Sequence, residues 1–159
     1  MPNVYLRFVT EPGFTSWAIR EFSWSDYSHI DFVLANGNFL GARLSGGVAV
    51  REHDYLIPSK YRYAFVEVRS VKSVIGWATS QVGKPYDWRA ILGFLPREDW
   101  HEPGHWFCSE LVAQAFNLKD TVIVDNQMDR ITPQSVLESP RVHKIDGIPD
   151  FIRDLGWTF

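Results

Sequence analysis

The chain contains one cysteine, Cys108, at the head of the stretch Cys108-Ser109-Glu110-Leu111-Val112-Ala113-Gln114-Ala115-Phe116. Its apolar residues Leu111, Val112, Ala115, Phe116 and Leu118 fall at helical spacing, while Pro103-Gly104 upstream forbids helix. The spacing therefore predicts that Cys108 lies in the first turn of a buried helix. A thiol there faces unpaired backbone N–H groups and the positive end of the helix dipole, which favour thiolate over thiol. Such a position suits a nucleophile. The plainer use of the same residue is a small hydrophobe that starts a core helix.

A thiolate nucleophile needs a base, and histidine is the usual one because imidazole titrates near neutrality. Five histidines are available. His29 begins the alternating run His29-Ile30-Asp31-Phe32-Val33-Leu34 directly after an irregular loop, so its ring can project from a sheet edge toward a helix packed on that sheet. His101 and His105 precede the cysteine in a loop, His53 follows a charged stretch and His143 sits among polar residues. His29 is the favoured partner and His105 the next, against the plainer reading of each as a solvated or structurally satisfied imidazole.

Asp31 lies two residues along the strand from His29 and so on the same face, which makes it a candidate for orienting the ring. An exposed or turn-bonding carboxylate is its alternative use. Glu110 can bind neighbouring backbone or accept a charged substrate group. Tyr86 reads as structural first and pocket-lining second, and Trp106, at the head of the cysteine stretch, is a third candidate substrate contact.

His101-Glu102-Pro103-Gly104-His105 spells the H-E-x-x-H pattern of zinc proteases. That motif needs a helix to set both histidines on one face, and Pro103-Gly104 denies it. A looser zinc site from His101, His105 and Cys108 lacks an evident fourth ligand. No metal and no cofactor is expected.

The elements that must position these residues can be read in order. Residues 4–9 form a first strand closed by Pro12-Gly13, and Phe14 to Phe22 a short helix. The His29 strand turns at Asn36-Gly37, where both residues tolerate positive φ, into Phe39 to Leu44, and Gly46-Gly47 leads into Val48 to Arg51. Tyr63 to Val68 is a strand, Ser70 caps a helix from Val71 to about Val82 that Gly83 ends, and Asp87 caps a further helix through Leu95. A charged loop from Pro96 to Gly104 precedes the Cys108 helix. Val122-Ile123-Val124 is strand-like, Thr132-Pro133 starts a brief helix to Leu137, and the apolar tail from Ile148 to Phe159 packs back on the domain.

With 159 residues, 45% hydrophobic and 15% aromatic, the chain suits one domain spanning 1–159. The net charge of -3 and the lack of a basic run argue against nucleic acid as a partner. One cysteine excludes an internal disulfide and suits a reducing compartment or a thiol kept free for chemistry. No secretory signal and no membrane span is read, so a cytoplasmic protein is expected.

Four stretches in order, Ser28-His29-Ile30-Asp31-Phe32-Val33, Gly83-Lys84-Pro85-Tyr86-Asp87-Trp88, Phe107-Cys108-Ser109-Glu110-Leu111-Val112 and Ile131-Thr132-Pro133-Gln134-Ser135-Val136-Leu137, resemble the circularly permuted branch of the NlpC-type papain-like superfamily. That branch groups bacterial and phage thiol hydrolases with relatives of lecithin retinol acyltransferase, and the resemblance covers roughly residues 3 to 140. It implies an α+β papain-like fold, a small antiparallel sheet packed against the helix that starts at Cys108. It implies His29 as base, Cys108 as nucleophile and a thioacyl intermediate. The implied substrate is an amide in peptidoglycan stem peptides, with an acyltransferase or lipid esterase acting on an acyl lipid second, a non-catalytic phage virion or binding module as the competing class, and a phage- or virion-associated location beside the cytoplasm. One departure stands out: the family places a polar orienting residue on the strand after the histidine, where this chain has Gly41. That glycine favours the non-catalytic class.

Overall fold

The computed structural model describes residues 1–87, 104–125 and 131–156, apart from the side chains at 14, 15, 18, 22 and 23. In chain order the elements are β1 (Asn3–Thr10), α1 (Phe14–Ser23), β2 (His29–Val33), β3 (Phe39–Arg43), β4 (Gly47–Arg51), β5 (Lys60–Glu67), α2 (Val71–Ser80), α3 (Cys108–Lys119), α4 (Pro133–Leu137), β6 (His143–Ile145) and α5 (Asp150–Asp154). The six strands form one sheet in the order β4-β3-β2-β1-β5-β6. Every pairing in it is antiparallel.

This architecture corrects the expected papain-like, permuted NlpC-type fold with its small sheet. β1 and the His29 strand β2 are the two central strands, β1 pairing with β5 along its whole length and with β2 on the other side. β5 then carries β6 as a further edge. Cys108 does begin α3, and α3 packs against α2 and over β2 and β3, but it does so on a broad six-stranded sheet among short helices. The extra width was hidden because β6 is short and reads His143-Lys144-Ile145, the kind of polar edge strand that carries no alternating apolar signal.

The sheet is buried on both faces. Val4, Leu6 and Phe8 of β1 join Ile30, Phe32, Leu40 and Ala42 in the main core, which α2 and α3 cover with Val74, Ala78, Leu111, Val112, Ala115 and Phe116. On the other face Val33, Phe39 and Tyr63 pack with Ile152 of α5, flanked by Tyr5, Tyr55 and Phe151. The expected return of the tail is thus seen in α5, where Phe151 lies 4.7 Å from Tyr5. Burial on two sides is why β1 reads as a nearly continuous apolar run broken only by Arg7, while His29 and Asp31 make β2 alternate.

Two local expectations change. At Asn36-Gly37 only the glycine takes positive φ, 78°, closing a three-residue loop in which Leu34 N–H donates to the Asn38 carbonyl at 2.9 Å. Residues 122–124 form a bend and not a strand. The Asn117 side chain accepts from Ile123 N–H at 3.0 Å and donates to the Val124 carbonyl at 2.9 Å, doing what a neighbouring strand would do. The helix expected after Asp87, the charged loop carrying His101 and Glu102, and Trp157 and Phe159 lie outside the described residues. Among the described residues no helix is long and apolar enough to cross a membrane.

Candidate active site

The β2–β3 ladder ends at Phe32–Leu40, whereas β3 stays paired with β4 through Arg43. Where the two strands part stand Asp31 and Gly41. A Cβ built on Gly41 would run into Asp31 Oδ1, so the Asp31 carboxylate fills the room a side chain at position 41 would take. From there Oδ1 lies 2.6 Å from His29 Nε2. Oδ2 accepts from Arg7 Nη2 at 3.2 Å and from the Tyr55 hydroxyl at 2.7 Å.

The charged members are buried, Asp31 and Arg7 each 1% exposed and His29 5%, while Tyr55 is half-buried. Arg7 also lays its guanidinium 3.4 Å from the centre of the Phe39 ring. Burial alone raises the Asp31 carboxyl, but His29, Arg7 and Tyr55 together hold it well below the usual carboxylate range. An ionised carboxylate only accepts hydrogen bonds, so Nε2 of the neutral ring carries the proton and Nδ1 is the basic nitrogen. The ring is fixed in the tautomer a proton acceptor needs.

Cys108 is the first residue of α3, with Phe107 as cap, and Glu110 Oε2 accepts the Phe107 N–H at 3.2 Å. The Cys108 side chain is fully buried, and the backbone N–H groups of Ile30, next to His29, and of Ser109 favour its ionised form. Burial pushes the thiol up to about 12; Ile30, Ser109 and Arg43 oppose that shift, and Asp31 adds to it. This runs against the expectation that the helix terminus favours thiolate: burial outweighs the backbone N–H groups of Ile30 and Ser109. The resting group is a thiol.

A cleft of about 430 Å³ opens beside His29, lined among others by Ser28, Arg43, Tyr86, Glu11 and Ile19. Tyr86 is 8% exposed, packs on Phe107 at 5.8 Å and has its phenol held well above its ordinary value, chiefly by burial. Of the other two candidate substrate contacts, Glu110 caps α3, and Trp106 bonds through its backbone to Pro85 and Asp87 at 3.1 Å while its ring meets Trp77 edge-on at 5.5 Å. The second-choice base, His105, lies in the segment entering α3, and His143 stacks on Phe65 at 5.0 Å.

Arg7 and Tyr55 were not anticipated from the sequence. Arg7 had a readable signal, since a charge inside an apolar strand buried on both faces must have a partner. Tyr55 had none, lying in a polar connection that meets Asp31 only through the fold.

No family model matches the chain, and no curated protein matches it. Among solved structures it is similar to the metalloprotein yiiX from Escherichia coli O157:H7, described as DUF1105, with a TM-score of 0.68 and 18% identity over 91% of this chain and 96% of that one. That likeness completes the correction of the fold class. Regarding a metal, the described residues contain no group of three or more His, Cys, Asp or Glu able to hold an ion. Asp31 already gives both oxygens to His29, Arg7 and Tyr55, so the described residues do not fit a resident metal. The chain shares the fold of the Escherichia coli metalloprotein yiiX, and on that fold it carries a buried His29–Asp31 pair flanking Ile30, whose backbone N–H favours the ionised form of Cys108.

Proposed function

We propose that the protein is a cysteine-dependent hydrolase that cleaves an amide bond through a thioacyl intermediate. The observation that carries this reading is the 2.6 Å contact between His29 Nε2 and an ionised Asp31, which leaves Nδ1 as the proton acceptor. Because burial keeps Cys108 as a thiol, the reaction starts with proton transfer and not from a standing ion pair. His29 takes the thiol proton as the sulfur bonds to the carbonyl carbon. The C–N bond then breaks, the amine leaves with the proton from His29, and water, deprotonated by the same ring, releases the acid and restores the thiol. Backbone N–H groups at the start of α3, that of Cys108 among them, face the developing oxyanion.

The resemblance to the permuted NlpC-type branch supports peptidoglycan stem peptides as the first substrate class and acyl esters as the second. The argument for a non-catalytic module rested on Gly41, and Asp31 now fills that space. The test is intact-protein mass spectrometry after incubation with muropeptides and, separately, with activated acyl esters. A thioacyl adduct on Cys108, absent in Cys108→Ser, supports the reading; a folded wild type giving neither adduct nor product with either class sinks it.

A further inference from the structure

Resting on the hydrolase reading, we propose that the cleft beside His29 takes a substrate bearing a carboxylate, received by Arg43, and that Glu11 is the protein's own carboxylate held there in the substrate's absence. Both residues line the cleft. Arg43 Nη1 and Glu11 Oε1 are 2.5 Å apart, with side chains 19% and 22% exposed, so the pair sits at the cleft wall and not in open solvent. Arg43 is two residues along β3 from Gly41 and therefore projects on the face that carries Asp31 and His29.

The guanidinium is only partly used. Its contacts run through Nη1, to Glu11 and to the Tyr55 hydroxyl at 3.3 Å, and among the described residues Nε and Nη2 make no hydrogen bond. A planar fork with free donors matches a carboxylate in two-point geometry. Tyr55 braces the fork from behind, because its ring lies 5.1 Å from the guanidinium carbon and its hydroxyl donates to Asp31. The anion site is thereby built onto the residue that orients His29.

Glu11 is arranged to yield. Its backbone N–H is held by Ser16 Oγ at 3.2 Å and Ser28 Oγ at 3.4 Å, and those two hydroxyls meet at 2.7 Å, so the main chain is anchored while the long side chain can rotate away. Exchange of one carboxylate for another on Arg43 leaves the count of charge-assisted hydrogen bonds unchanged. The Glu11 contact thus sets a threshold that an anionic ligand crosses more readily than a neutral one.

The experiment uses N-acetylalanine and its neutral amide, N-acetylalaninamide, as probes, titrated into the whole protein and followed by NMR of the His29 ring and the arginine side-chain N–H signals. The wild type is expected to bind the acid about tenfold more tightly than the amide, the ratio a charge-assisted two-point contact supports. Arg43→Gln should bring the two affinities within about twofold, Arg43→Lys should keep part of the preference, and Glu11→Gln should tighten binding of the acid several-fold. Equal binding of the two probes by the wild type, or saturable binding of neither, overturns the proposal. Binding does not require the thiol, so Cys108→Ser should keep the preference. A carboxylate preference without thioacyl chemistry would sink the hydrolase reading alone, and thioacyl chemistry without the preference would sink this one alone.

Discussion

The carboxylate of Asp31 occupies the space that a side chain at position 41 would need, and Gly41 is what lets it stand there. Orientation of His29 thus comes from its own strand, two residues along. Gly41→Ala is expected to drive Asp31 from its seat, because the added Cβ meets a buried carboxylate hemmed in by Arg7 and Tyr55. We expect a loss of stability of about 1 to 3 kcal/mol. Chemical denaturation and the His29 ring signals by NMR check both the cost and the broken His29–Asp31 contact.

Asp31 also makes stability depend on pH in a defined direction. Unfolded, its carboxyl takes up a proton near pH 3.9; folded, His29, Arg7 and Tyr55 keep it ionised to far lower pH. Protons therefore favour the unfolded state, and stability present above about pH 4 to 5 is lost as the pH falls. Asp31→Asn should flatten that acid limb in denaturation curves between pH 5 and 2. At neutral pH it should cost about 3 to 5 kcal/mol, since Arg7, 1% exposed, is left as a buried charge without its ion-pair partner. An acid limb unchanged in the mutant would remove Asp31 as its cause.

How much of this could be read in advance follows the range of each signal. Local signals were legible: Ser70 and Thr132 cap α2 and α4 by accepting from Ser73 and Ser135, as their places before an apolar run predict. The His29 strand and the Cys108 helix begin at the expected residues, and the two-residue spacing put Asp31 on the face of His29. Facts that depend on distant pairing were not legible. β6 reaches β5 from the far end of the chain, Tyr55 reaches Asp31 from a loop, and the state of the Cys108 thiol is decided by desolvation, which only packing reveals.

Thr132 tests the local end of that range. Its side chain accepts from Ser135 N–H at 3.0 Å while Ser135 Oγ accepts from Thr132 N–H at 2.9 Å, a reciprocal cap on a helix only five residues long. Beside it the Ile131 carbonyl accepts from Ser109 Oγ at 2.6 Å, tying this turn to α3. Thr132→Ala should cost about 1 kcal/mol, read as a lowered denaturation midpoint with an unchanged slope.

The central claim is that His29 removes the proton from Cys108, and the most direct test is the rate of Cys108 alkylation by iodoacetamide as a function of pH, in the wild type and in His29→Ala. A thiol pushed up to about 12 ionises very little at neutral pH on its own, so without the imidazole the rate should rise about tenfold for each pH unit between 6 and 9. With the imidazole in place, the wild type should react at least about tenfold faster than the mutant at pH 7, the low end of what a positioned base contributes. Its rate should also climb less steeply with pH. Identical rates and identical slopes in two folded proteins would contradict the account and leave Cys108 a buried core residue.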